Sequence, residues 1–186
     1  MNHEGVFFAP EMSTDERVRV FRRSLGEMED FSGDLSIELI PAPGHHLDHI
    51  AAWISQLRLL LAFDAAEMPF PIMEDAAAVP LMISTLESFV ALQPERVLCS
   101  HGKTSSPELV KDNLAYFREV ERRCRASIQA GQAVDTEIEH AAELIGYPLD
   151  EVIAGKGDEI DRKFYGWAHD NNVRCMLEWL KREAGR

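Results

Sequence analysis

The sequence predicts an α/β fold on three observations. Short apolar runs alternate with polar or Pro/Gly breaks between Ser32 and His101, helical periodicity runs almost without interruption from Ser105 onward, and no internal repeat or low-complexity tract is present. The 186 residues, 46% hydrophobic and 27% charged, suffice for one domain with a small appendage.

Leu35-Ser36-Ile37-Glu38-Leu39-Ile40 alternates with period two and places Leu35, Ile37 and Leu39 on one face, as a half-buried strand requires. Pro41-Ala42-Pro43-Gly44 breaks it. Ile50 to Ile54 and Leu57 to Phe63 are two further strands joined at Ser55-Gln56, and the second is so nearly continuous in apolar residues that cover on both faces is expected. After Pro80, the residues Leu81, Thr85, Leu86, Phe89 and Val90 recur at helical spacing, and Glu95 to Cys99 returns to a strand. Ser105 or Ser106 then caps a helix with Pro107 in its first turn and Glu108 at a capping-box position. Its stripe is Val110, Leu114, Phe117, Cys124 and Ile128, and Gly131 is the natural stop. Asp135 to Ile145 and Asp161 to Ala184 are two more helical segments. The division expected is an α/β domain over 1–131 and a helical C-terminal extension over 132–186.

Lys and Arg number 19 against 32 Asp and Glu, a net charge of −13, which disfavours nucleic acid and anionic lipid as partners. The longest apolar run, Ala76 to Ile83, contains Pro80 and falls far short of the about 20 residues a membrane span needs. Met1-Asn2-His3-Glu4-Gly5 lacks the features of a secretory leader, so the cytoplasm is the expected compartment. Cys99, Cys124 and Cys175 are too few and too widely spaced for a disulfide framework or a C-x-x-C knuckle, and read as reduced, mostly buried thiols.

Three polar clusters follow predicted strands: Gly44-His45-His46-Leu47-Asp48-His49, then Asp64, then His101-Gly102. Loops leaving strand ends are where α/β proteins build sites. Two imidazoles and a carboxylate brought together suit zinc, iron or manganese, because each offers a lone pair at neutral pH. Taken singly, a His before Gly or an Asp after a strand reads equally as a cap or turn residue.

Pro43-Gly44-His45-His46-Leu47-Asp48-His49, the apolar strand ending in Asp64, the later Pro94-Glu95-Arg96-Val97-Leu98 strand and Ser100-His101-Gly102 together resemble the second half of the metallo-β-lactamase superfamily, from about Leu35 to Gln129. The resemblance implies that His45, Asp64 and His101 are metal ligands, with Asp64 bridging two metals, zinc first and iron or manganese as alternatives. It implies that His49 orients the His45 loop without touching metal, while His46 reads as a partly exposed loop imidazole. A Gly commonly stands where this chain has Phe63. The family's principal motif, H-x-H-x-D-H on an early strand, is absent, and with it about half the ligand set and the first sheet of the αββα sandwich. Asn2-His3-Glu4-Gly5 is either the end of that motif or an unrelated N-terminal histidine.

The fold expected is therefore a partial αββα sandwich, one sheet with flanking helices plus the helical tail. Its uncovered sheet face needs another partner, which makes a homo-oligomer the expected assembly. Two functions fit: a metal-dependent hydrolase acting on a small-molecule ester, thioester or amide with its metal site incomplete in this chain, or a non-catalytic relative serving as an oligomerising or binding module. Elsewhere the residues read as structure. Arg17, Arg19, Arg22 and Arg23, and Arg122, Arg123 and Arg125, belong to solvated helix faces, and Phe164, Trp167 and Trp179 to a buried or dimerising face. His140 and His169 lack partners at ligand spacing, and no Ser-His-Asp order, phosphate loop or dinucleotide fingerprint occurs.

Overall fold

The computed structural model describes residues 35–131, 140–157 and 160–185. Strands β1 (Glu38–Pro41), β2 (Ile50–Ile54), β3 (Leu59–Phe63) and β4 (Arg96–Cys99) form one sheet in the order β1-β2-β3-β4. β2 is antiparallel to both β1 and β3, while β3 and β4 are parallel. Hence β1, β3 and β4 run the same way, and the loops that follow them leave one edge of the sheet.

The parallel pair needs a crossover, which α1 (Ala78–Ala91) supplies. Pro80 sits in its first turn, where a missing N–H breaks no helical bond, and Val79, Met82, Ile83, Leu86 and Phe89 form its buried face at helical spacing. The helix α2 (Glu108–Gln129) opens with the Ser106 hydroxyl accepting from the Glu108 N–H at 3.2 Å and stops before Gly131, whose φ is +69°. Two single-turn helices, α3 (Ala141–Leu144) and α4 (Leu149–Val152), lead to α5 (Arg162–Ala184). There Asp161 caps the first turn by accepting from the N–H groups of Lys163 and Phe164, each at 3.0 Å. Val173, Met176 and Leu177 of α5 share one core with Leu60 and Val97 of the sheet and Phe117 of α2. Each such side chain, fully buried, contributes about 1.5–3 kcal/mol.

Two expectations are corrected. Leu57 to Phe63 is not one strand covered on both faces. Ser55–Leu57 is a 3₁₀ turn, Arg58 takes a left-handed φ of 45°, and in β3 only Leu60 and Ala62 are buried, while Leu59, Leu61 and Phe63 are half-buried. The reason is the pleat: alternate residues face away from the helices. Phe164 and Trp167 are not core residues either, at 44% and 55% exposed, because the buried face of α5 is set one position away, at Tyr165, Ala168, His169, Asn172 and Met176. The N-terminal segment with His3 and Arg17 to Arg23, and the start of the Asp135 to Ile145 segment, lie outside the described residues.

Cys124 and Cys175 are buried thiols pushed up to about 12 and about 11 chiefly by desolvation, and the three cysteines are free. Arg122 and Arg125 pair with Glu119 and Glu121 on the exposed face of α2. Arg123 lies over the Tyr147 ring at 4.2 Å. No described helix is long and apolar enough to cross a membrane.

Candidate metal centre

The loop after β1 is held against α1. A Cβ on Gly44, whose φ is +145°, would stand 2.6 Å from the Met82 Cα, so only glycine lets the loop approach this closely. Thr85 Oγ1 on the same helix donates to the Pro43 carbonyl at 2.7 Å. His45 Nδ1 then lies 2.9 Å from the Ile72 carbonyl. A carbonyl only accepts, so Nδ1 carries the proton and Nε2 is left with the lone pair a metal requires. His46 is an exposed imidazole 3.1 Å from Glu74. Burial holds the His49 imidazole below its usual range against the opposing charge of Asp64, and its buried Nε2 has no hydrogen-bond partner.

The strand β3 ends in a register irregularity between Leu61 and Phe63, and Phe63 has φ +51°, in the left-handed region that glycine favours. Asp64 follows immediately. Beyond the parallel β4, His101 brings Nε2 to 3.4 Å from Asp64 Oδ1, with the His101 side chain 66% exposed. Gly102 secures this loop: at φ +115°, a Cβ there would meet the Met68 Cβ at 2.7 Å. The Met68 N–H and Cys99 Sγ both donate to the His101 carbonyl, at 3.1 and 3.0 Å.

Ligand atoms of Asp64, Glu67 and His101 lie within 4.8 Å of one another. His45 stands outside this group, on the loop that leaves the same edge of the sheet. Sequence reasoning missed Glu67, although a lone carboxylate inside Ala65-Ala66-Glu67-Met68-Pro69-Phe70 is a readable sign, since apolar neighbours predict burial and a buried acid needs a partner. Glu67 is 3% exposed. Its carboxyl is raised to about 8, first by desolvation and then by the charge of Asp64, with Tyr165 Oη donating to Oε1 at 3.3 Å. Asn113 of α2 fixes the residue by accepting from the Glu67 N–H and donating to the Glu67 carbonyl, both at 2.9 Å.

This donor set fits a divalent cation. Two neighbouring carboxyls, one of them buried, are stable without a cation only if one keeps its proton, and the adjoining imidazole supplies a neutral lone pair. A groove of about 470 Å³ opens beside His101, lined by Met68, Gly102, Ile160, Phe164 and Tyr165 among others.

No protein-family model matches the chain, and no curated protein matches it. Among solved structures, a metallo-beta-lactamase family protein from Thermus thermophilus is similar with a TM-score of 0.52 at 16% identity, over 80% of this chain and 44% of that one. A beta-lactamase domain protein from Burkholderia ambifaria gives a TM-score of 0.49 at 18% identity, over 81% of this chain and 44% of that one. The likeness to the Thermus protein shows the fold: a partial metallo-β-lactamase fold with a helical C-terminal region. The chain spans less than half the length of either structure.

Proposed function

We propose that this chain carries part of the site of a metal-dependent hydrolase of the metallo-β-lactamase type, with His45, Asp64 and His101 as ligands of a divalent metal, zinc before iron or manganese, and Glu67 joining them. The observation that carries this reading is the convergence of Asp64, Glu67 and His101 within 4.8 Å at the edge where β1, β3 and β4 end. Asp64, Glu67 and His101 would hold the metal, which would supply Lewis-acid polarisation of an ester, thioester or amide carbonyl and acidification of a water. The chain's own residues do the rest. Nδ1 of His45 is committed to the Ile72 carbonyl, which leaves the Nε2 lone pair for a ligand role, and Glu67 would give up its proton on binding a cation. The groove beside His101 seats a small-molecule substrate, with Tyr165 forming its inner wall. Free cysteines fit the reducing cytoplasm.

Because H-x-H-x-D-H is absent from this chain, hydrolysis of generic esters or β-lactams by it alone is weak or nil. Zinc binding tests the site directly, by competition against a chelating dye. Wild-type protein binds, and Asp64→Ala and His101→Ala each weaken binding at least about tenfold. Unchanged affinity in both variants, or zinc-dependent turnover that Asp64→Ala leaves intact, refutes the proposal. Leu39 and Leu61, half-buried, and Leu98, 43% exposed, on the sheet face away from the helices favour a second role as a self-associating module.

A further inference from the structure

Residues 64–77 connect β3 to α1 almost without regular structure, and the segment from Glu67 to Met73 within them has its backbone held by side chains from distant elements. Asn113 holds Glu67 and reaches the Pro69 carbonyl at 3.3 Å, and Lys156 Nζ donates to the same carbonyl at 3.2 Å. At the other end, Asn172 of α5 donates from Nδ2 to the Pro71 carbonyl and accepts at Oδ1 from the Met73 N–H, both at 2.9 Å. Asn171 donates to the Met73 carbonyl at 2.8 Å. Asn172 is fully buried, and its amide orientation is fixed, because a carbonyl cannot donate and an N–H cannot accept. Its Nδ2 also donates to Tyr116 Oη at 3.3 Å, and Tyr116 Oη is 2.8 Å from His169 Nδ1. The residue between the two pinned peptides is Ile72, whose carbonyl faces His45 Nδ1.

We propose that Asn172 is a positioning residue for His45: by bracketing Ile72 it sets the carbonyl that fixes the tautomer and orientation of the imidazole, so that α5 tunes the metal site from a distance. This rests on the reading of His45 as a ligand. It gives the C-terminal helix a part in the site that its position in the sequence does not suggest. Partners that orient a metal-bound histidine typically change affinity about 10- to 100-fold when removed.

The experiment has a metal-free arm and a metal arm. Nitrogen-detected NMR of the imidazoles in metal-free protein should show His45 as the Nδ1–H tautomer in the wild type and as a mixture in Asn172→Ala. Zinc affinity in the same variant should fall about tenfold or more. Met176→Ala, a core truncation on the same helix, should lose stability yet keep both the tautomer and the affinity. If Asn172→Ala does not fold, Asn171→Ala, which removes only the bond to the Met73 carbonyl, should shift both readouts in the same direction by less. Wild-type tautomer and affinity in a folded Asn172→Ala, or equal shifts in Met176→Ala, overturn the proposal. A wild-type protein that binds no zinc refutes the metal reading alone, and the tautomer comparison then decides the positioning role by itself.

Discussion

A carboxyl that is 3% exposed and faces a second carboxylate keeps its proton or acquires a cation, and Glu67 faces that choice. Without metal its folded pKa of about 8 stands above the ordinary 4.5. The folded state therefore holds a proton that the unfolded chain has released, and Glu67's contribution to stability falls as pH rises from about 4.5 to about 8. Urea unfolding in chelator at pH 5 and pH 8 should show Glu67→Gln flattening this slope and gaining on the order of a few kcal/mol over the wild type at the higher pH. An identical slope in the variant contradicts the assignment. With zinc the same group predicts that binding at pH 7 releases a proton, visible as a buffer-dependent heat in calorimetry. Gly44 poses a steric problem instead of an electrostatic one. Gly44→Ala places a Cβ 2.6 Å from the Met82 backbone at a φ few L residues adopt, and should cost about 1–3 kcal/mol while displacing His45. Thermal melts and the zinc titration read the two effects separately.

Among the elements, the β3–α1 loop was the hardest to read and has the most consequence for the site. The expectation for His45, Asp64 and His101 came from polar residues in the turns that follow apolar strands, and the structure brings Asp64 and His101 together while leaving His45 outside their group. Asn113 and Asn172 carry no such signature. They lie on helical faces where an asparagine looks like a misplaced polar residue, and their partners are 46 and about 100 positions away in sequence. Buried amides satisfy the backbone of a loop that has no strand or helix partner to satisfy it. Strand limits shifted for a similar reason. Leu57 to Phe63 looked continuous, yet the 3₁₀ turn and left-handed Arg58 start the ladder only at Leu59, and turn geometry of that kind leaves little trace in hydrophobicity. Asn113→Leu should leave the Glu67 N–H and carbonyl buried without partners and the Pro69 carbonyl with Lys156 as its remaining donor, a loss of about 2–3 kcal/mol by chemical denaturation. A near-neutral result would mean that water enters to replace the amide.

For the whole molecule, the alternation of apolar runs and the helical half gave the α/β class, the order of the three clusters gave the superfamily resemblance, and the Thermus structure shows the same fold over 80% of this chain. The self-association proposed above is argued from the two faces of the sheet. Trp53, Leu60 and Val97 lie in register on the face toward the helices and are buried. Leu39, Ala52, Leu61 and Leu98 lie in register on the other, where Ala52 is fully buried, Leu39 and Leu61 are half-buried and Leu98 is 43% exposed. At about 25 cal/mol for each Å² of apolar surface removed from water, covering what this row leaves exposed contributes favourably to self-association. Phe164 and Trp167 are a further exposed apolar pair, with ring centroids 6.0 Å apart and Phe164 lining the groove, a smaller and less continuous surface. The sheet face is therefore the interface expected of the proposed assembly. Sedimentation equilibrium at micromolar concentration should show the wild type as a dimer or larger. Leu98→Glu, which places a charge in the row without touching the core face, should return it to a monomer, whereas Trp167→Ala should leave the assembly intact. A monomeric wild type, or dissociation by Trp167→Ala alone, would move the interface away from the sheet.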